Sequence, residues 1–298
     1  MTITASMVKE LREKTGVGML ECKKALEENQ GDMEKAILWL RERGLSRAAK
    51  KADRVAAEGM VKVVVSADQR SGVVLELNCE TDFVSKNDDF QKFAQDVAEL
   101  ALAQKCHDLD TLKALKLGNE TVEARLAGLI ATIGENMRLR RLGYLSTPKG
   151  TVAGYTHMGG RIGTLVLLEG AEGADVLELG KDIAMHAAAA NPRYLKSDEV
   201  NTEELEQEKE LARKQLLEQK KPEAMIEKIL AGQIQKFFKE VCLLDQAFVK
   251  DQNLSIRQLV GEKAKGASLA AFHLFKLGEG IEKKKENFAE EVAAQLRS

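Results

Sequence analysis

Glu76-Leu77-Asn78-Cys79-Glu80-Thr81-Asp82-Phe83-Val84-Ser85-Lys86 joins two different textures of sequence. Val73-Val74-Leu75-Glu76-Leu77 is a β-branched, apolar run of strand length, whereas Phe90, Phe93, Ala94 and Val97 recur at helical spacing. Thr81 to Lys86 therefore lies on a strand-to-helix loop. Two arrangements are open on local pattern. Thr81 or Asp82 caps a turn while Phe83 and Val84 fold back into the core. Alternatively, Asp82 and Phe83 project outward as a charged and apolar wedge for a partner.

Upstream, Met60 to Val65 and Gly72 to Cys79 flank the polar turn Ala67-Asp68-Gln69-Arg70-Ser71, which predicts a β-hairpin, followed by a helix from Asp88 to Leu102. The unit occurs twice. Arg70-Ser71-Gly72-Val73-Val74-Leu75-Glu76-Leu77 aligns with Arg161-Ile162-Gly163-Thr164-Leu165-Val166-Leu167-Leu168, and Asp96-Val97-Ala98 with Asp182-Ile183-Ala184. Both copies read strand, turn, strand, helix, within an α+β fold. The interval from Arg to Asp is 26 residues in the first copy and 21 in the second, and the excess contains Thr81 to Val84. An insertion in one copy alone, carrying Phe where loops usually carry Gly, Ser or Asn, weights the projecting arrangement without excluding the other.

Residues 4 to 52 read as three short helices. Val8 and Leu11 edge the first, Gly16-Val17-Gly18 breaks it, Met19, Cys22 and Leu26 mark the second, and Asp32 caps a third from Met33 to Arg43 that ends at Gly44. So small a module suits binding better than catalysis. The basic run Arg47, Lys50, Lys51, Arg54 is either a solvated helix end or a patch for an acidic partner. Between the two copies, Thr121 to Glu135 is a helix. It leads into Arg138, Arg140 and Arg141, expected on a solvated strand face because no stacking aromatics accompany them.

Beyond the second copy the chain becomes charged and sparse in apolar residues. Thr202 to Gln219, with Leu205, Leu211, Ala212 and Leu216, is broken by Lys221-Pro222, and Met225, Ile226, Ile229 and Leu230 follow. Such narrow apolar stripes predict a projecting antiparallel helical hairpin, with Pro222 at the first position of its second helix and self-association as one use. Ser255 and Gln258 form a capping box, Leu269 to Lys276 is a strand with Phe272 and Leu274 on one face, and Gly278-Glu279-Gly280 punctuates the chain. A final helix is expected to bring Phe288, Val292, Ala293 and Leu296 together, docked on this chain or on a partner.

With 298 residues, 44% hydrophobic and 31% charged, the chain supports folded domains with sizeable cores. A formal charge of -2 gives no global attraction to nucleic acid or an anionic membrane, so neither is expected as a partner. No uncharged apolar run approaches the roughly 18 residues that span a bilayer, and Met1 to Ser6 lacks a basic region leading an apolar stretch; a cytoplasmic location is expected. Cys22, Cys79, Cys106 and Cys242 lie far apart without ligand-like spacing, so reduced buried thiols are expected and no metal or cofactor. Gly261-x-x-x-x-Gly266 has Ala267 where a phosphate loop needs lysine, and His107, His157, His186 and His273 are scattered. Nothing supports an enzyme.

Leu11-Arg12-x-x-Thr15-Gly16-x-Gly18-Met19, continuing to Cys22-Lys23-Lys24-Ala25-Leu26, and the stretch from Glu76 to Lys86 resemble the two signature segments of the bacterial elongation factor Ts family. The resemblance runs the length of the chain, including Gly278 to Lys283. It implies a guanine-nucleotide exchange factor for elongation factor Tu. It also implies a three-helix module similar to ubiquitin-associated (UBA-like) domains over residues 1–54 and core halves over 55–145 and 146–282. A helical hairpin over 198–240 is inserted in the second half, and a terminal module occupies 283–298. By the same resemblance Thr81, Asp82, Phe83 and Val84 intrude into the GTPase and dislodge its Mg²⁺. Val8, Leu11 and Lys23 touch its nucleotide domain, Ile133 and Gly134 support the wedge, and His157 meets its third domain, ahead of a turn at Met158-Gly159-Gly160 where family members vary in length. The rivals from the residues alone are an adaptor without effect on nucleotide exchange and a carboxylate-dependent enzyme, whose carboxylate pairs leave no local signature.

Overall fold

A hydroxyl, a carboxylate and a left-handed glycine frame the first helices. Thr4 Oγ1 accepts from the Met7 amide at the start of α1 (Ala5–Thr15), which stops at Gly16 with φ +68°. α2 (Met19–Glu28) and α3 (Met33–Lys51) follow, the latter capped by Asp32 Oδ1, 3.0 Å from the Lys35 amide. Leu11, Cys22, Ala25, Leu26 and Ala36 are fully buried among them. α3 does not end at Gly44 as its composition suggests. Gly44 does not take the positive φ of a terminating glycine, and α3 runs on through it, beside Ala131, to Lys51. The computed structural model describes residues 2–219 and 222–282; the expected terminal helix, with Phe288 to Leu296, and Lys221 lie outside them.

β1 (Glu58–Val65) and β2 (Ser71–Cys79) form the expected hairpin, followed by α4 (Asp82–Ser85), α5 (Asp88–Ala103) and α6 (Leu109–Ala114). A two-residue pair, β3 (Lys116–Leu117) and β4 (Glu120–Thr121), precedes α7 (Val122–Ile133) and β5 (Met137–Ser146). β2 is the centre of an antiparallel sheet ordered β1-β2-β5. The second copy repeats this plan. β6 (Gly150–His157) and β7 (Ile162–Glu169) form a hairpin and α8 (Ala174–Ala190) follows. After α9 (Thr202–Glu218), α10 (Glu223–Val241), β8 (Ala247–Phe248), β9 (Asp251–Ser255) and α11 (Ile256–Lys263), β10 (Ser268–Lys276) returns to give the order β6-β7-β10.

The described residues of the core stack as helix, sheet, sheet, helix. Val73, Leu75, Leu77 and Cys79 of β2 join Phe90, Phe93, Val97, Val122, Leu126 and Ile130 of α5 and α7, while Val74 joins Val61, Val152 and Leu165 between the sheets. Period-two alternation thus buries both faces of β2, which explains its unbroken apolar run. On the far side Val166 and Leu168 of β7 meet Leu179, Ile183, Ala187, Leu259 and Val260 of α8 and α11. The sheets approach so closely that a Cβ at Gly72 would sit 2.8 Å from Val152, and one at Gly163 would sit 2.5 Å from Val61. These glycines hold matching positions in the two copies.

Glu76, fully buried, faces the same seam. Arg140 Nη1 lies 3.1 Å from both of its oxygens, Arg141 Nε lies 2.5 Å from Oε2, and the Gly278 amide donates to Oε1 at 2.9 Å. Arg141 also donates to the Lys276 carbonyl at 2.7 Å and stacks 4.5 Å over the Phe275 ring. Arg140 and Arg141 are therefore internal counter-charges and not the solvated face expected of them, although Arg138 is exposed. A lone buried carboxylate is costly enough that two cations are recruited.

In α9 and α10, Ala212 clusters with Leu230 and Ile234, and Leu205 packs with Phe238, so the helices run antiparallel. Leu211 and Met225 of the expected stripes are exposed, and Pro222 is the N-cap, one residue before the first helical position. Gln246 joins their base to α8, donating to the Ala190 and Glu240 carbonyls at 3.4 and 2.8 Å while its Oε1 lies 3.0 Å from His186 Nε2. The Val249 amide donates to His186 Nδ1 at 3.3 Å. That acceptor role requires a neutral ring, and burial holds His186 below its ordinary pKa, outweighing the Gln246 contact that pulls the other way.

Two outcomes follow from these buried groups. Glu76→Gln leaves two partly exposed guanidinium groups without their anion and lowers unfolding free energy by roughly 3 kcal/mol, measurable by urea titration. His186 and, by the same burial effect, His273 titrate below their unfolded values. Their stabilising neutral forms are full above about pH 6.5 and lost as pH falls below it, at up to about 1.4 kcal/mol per pH unit for each ring. His186→Gln flattens that slope between about pH 6.5 and 5, and an unchanged slope excludes His186 as its source.

Candidate functional site

Residues 80–86 leave the end of β2 at a point held on every side. Cys79 is fully buried, burial pushes its thiol up to about 12, and its Sγ donates to the Thr81 carbonyl at 3.1 Å. Thr81 caps α4, its Oγ1 3.5 Å from the Val84 amide. Two donors of Thr81 meet Glu135: the backbone amide at 2.9 Å and the hydroxyl at 2.6 Å. Ser85 Oγ donates back to the Asp82 carbonyl at 2.7 Å, closing the short turn.

On this frame neighbouring side chains part company. Val84 is 8% exposed and belongs to the core beneath α5, whereas Phe83 is 79% exposed. Successive helical residues differ by about 100° around the axis, so burying Val84 turns Phe83 outward. Asp82, half-buried, accepts from Lys86 at 2.8 Å; that hydrogen bond and the lysine charge hold its carboxyl below the usual carboxylate range. Lys86 Nζ also stands 6.0 Å from the Phe83 ring centroid. The site is an anion and an uncovered aromatic ring on a short, pinned helical turn. Neither sequence arrangement is complete in itself: Val84 folds back and Phe83 projects.

The other candidate residues fall in different environments. Val8 is 6% exposed and Leu11 fully buried within the three-helix cluster, while Lys23 is exposed and pairs with Glu27 at 3.6 Å. Among its described residues this module exposes large apolar side chains at Met19 and Leu20, at the start of α2, and at Leu38 and Leu45 on α3. Leu20, 84% exposed, follows Met19 directly after the Gly16-Val17-Gly18 break. Ile133 packs on the first core, and Gly134, at φ +93°, ends α7 and receives Lys51 Nζ on its carbonyl. His157 is exposed at the end of β6, its Nδ1 2.9 Å from the Tyr155 hydroxyl. The β6–β7 turn reaches the same end of the molecule as α4. Gly160 accepts from the Val61 amide at 2.7 Å, Arg161 lies 3.7 Å from Glu58, and the Arg161 charge acts on Asp82.

Among the described residues no three His, Cys, Asp or Glu side chains group as metal ligands, and no helix is long and apolar enough to cross a membrane. The protein is an α+β scaffold that carries an exposed phenylalanine on a short helical turn. Residues 80–279 match the family model described as Elongation factor TS. Elongation factor Ts of Clostridium perfringens (strain SM101 / Type A) is 52% identical over 297 residues, 98% of each chain. That of Clostridium botulinum (strain Alaska E43 / Type E3) is 50% identical over 300 residues, 99% of each, and that of Clostridium novyi (strain NT) is 49% identical over 302 residues, again 99% of each. The chain belongs to the elongation factor Ts family.

The opposite settings of Phe83 and Val84 give opposite expectations for stability. Val84→Ala lowers unfolding free energy by roughly 1.5 kcal/mol in urea titration, whereas Phe83→Ala changes it by less than about 0.5 kcal/mol.

Proposed function

We propose that this chain is the guanine-nucleotide exchange factor of elongation factor Tu, and that Asp82 and Phe83 enter the GTPase, displace its Mg²⁺ and release GDP so that GTP can bind. The observation that carries this reading is the exposure of Phe83 beside the anchored Val84. A ring of that size left in water on a rigid turn gains by inserting among a partner's side chains. Asp82, held anionic by Lys86, brings an acceptor that competes for hydrogen bonds around the partner's metal. Once the metal's ligands are disturbed, the nucleotide phosphates lose their largest local counter-charge, and GDP leaves. No bond is made or broken, so the activity is exchange and not catalysis of a reaction.

Reciprocity completes the cycle. If the factor favours the nucleotide-free GTPase over the loaded form by some ratio, nucleotide weakens the factor by the same ratio, about 1.4 kcal/mol for each tenfold. Abundant GTP then dissociates the pair.

The remaining surfaces take supporting roles in this proposal. Residues 1–54, UBA-like in helix order, contact the nucleotide domain through Lys23 and the exposed Met19 and Leu20, while Val8 and Leu11 shape the module from inside. Ile133 and Gly134 back the wedge, and His157 on the β6–β7 turn meets the third domain. The core halves 55–145 and 146–282 are the scaffold, and the hairpin 198–240 is an arm open to self-association. The setting is the cytoplasm, where translation elongation takes place.

Release of labelled GDP from purified elongation factor Tu, with this protein substoichiometric, tests the proposal. Turnover by the intact chain is expected, with Phe83→Ala slowing release at least about tenfold, the loss produced by about 1.4 kcal/mol of missing contact. Stoichiometric binding without faster release overturns exchange in favour of an adaptor.

A further inference from the structure

The wedge turn and the turn between α7 and β5 hold each other by reciprocal bonds. Both oxygens of the Glu135 carboxylate are used by Thr81, Oε2 by the amide at 2.9 Å and Oε1 by the hydroxyl at 2.6 Å. In return Glu80 Oε1 accepts from the Asn136 amide at 2.5 Å, and Arg54 stands 3.6 Å from the same oxygen. The Asn136 side chain then donates to the Arg54 and Ala52 carbonyls at 2.7 and 3.3 Å, and Lys51 donates to the Gly134 carbonyl. The end of α3, residues 80–81 and residues 134–136 are thereby one joint.

We infer that Glu135 is a positioning residue for the Asp82–Phe83 projection. α4 has four residues, too few to stand as a helix without outside support, so its direction is that of its cap. Thr81 is that cap, and its hydroxyl points its lone pairs at the Val84 amide only while its proton goes elsewhere. Glu135 takes that proton. The charge-assisted bond fixes the Thr81 rotamer, while the second bond fixes the backbone leading into the turn. Phe83 itself has little packing to hold it, so this carboxylate adds to the order that the buried Val84 and the Ser85–Asp82 bond give the turn. A pre-ordered ring loses less freedom on binding than a loose one. Because Asn136 holds the end of α3 at the same joint, the three-helix module and the wedge keep a fixed mutual orientation.

This inference rests on the exchange mechanism above for its functional half, and the test separates the two. Wild type, Glu135→Gln, Phe83→Ala and the double variant are compared for GDP release from elongation factor Tu, and amide hydrogen exchange of free wild type and Glu135→Gln is followed at residues 82–84. Gln presents at most one acceptor and turns an NH₂ toward a donor of Thr81. Glu135→Gln is expected to speed amide exchange at these residues and to slow GDP release about tenfold, an effect that vanishes in the Phe83→Ala background because the ring it orients is gone. Thr81→Val, which removes the hydroxyl, behaves like Glu135→Gln. Equal losses in both backgrounds, or unchanged amide exchange at residues 82–84, overturn the positioning role. Unchanged GDP release in Phe83→Ala with faster amide exchange in Glu135→Gln overturns the wedge mechanism and leaves the positioning of the turn standing.

Discussion

One sheet lies face to face on the other, and the rest of the chain takes its place from that contact. The approach is set by backbone where Gly72 and Gly163 stand, since a methyl group at either would collide with Val152 or Val61. Interiors at crystal-like density leave no slack for such a methyl. With their inner faces committed to each other, β2 and β7 must bury their outer faces as well. α5 and α7 cover one, α8 and α11 the other. Two copies of a unit that cannot bury its own sheet alone thus complete one another.

The seam also explains a charged residue placed where water is absent. Glu76 follows the parity of Val74 into the space between the sheets, and its neutralisation draws in Arg140, Arg141 and the Gly278 amide. Gly278, at φ +69°, passes so near Ala57 that a Cβ would meet its carbonyl at 2.5 Å. Gly278 is therefore held against the central strand that leads into α4. A buried ion cluster of this kind serves geometry more than stability, because desolvation offsets much of its Coulomb attraction.

A strand fixed on both faces ends as a rigid post, and whatever is inserted after it inherits that rigidity. The additional residues of the first copy have one side chain, Val84, to return to the core, and the turn that returns it exposes its neighbour. Recognition by a pinned ring fits the proposed exchange, in which binding energy must act against nucleotide and not be spent on ordering the factor. The exposed Met19 and Leu20 lie on a module joined to that same frame through Lys51 and Asn136.

Patterns of short range were legible in the residues themselves. The β-branched run before Cys79, the helical spacing of Phe90 to Val97, the Asp32 cap and the duplication around Arg70 and Arg161 depend on backbone preference and periodicity, which act over a few residues. So do the segments that place the chain in its family. What the pattern left undecided needed partners distant in the chain: Arg140 and Arg141 turn inward because Glu76 waits across the sheet. The sequence by itself determined the elements, their duplication and the polar turn carrying a phenylalanine. Only the tertiary structure decided that Val84 faces in and Phe83 out, because that choice is made by the core under α5 and by a carboxylate 54 residues further along, at Glu135.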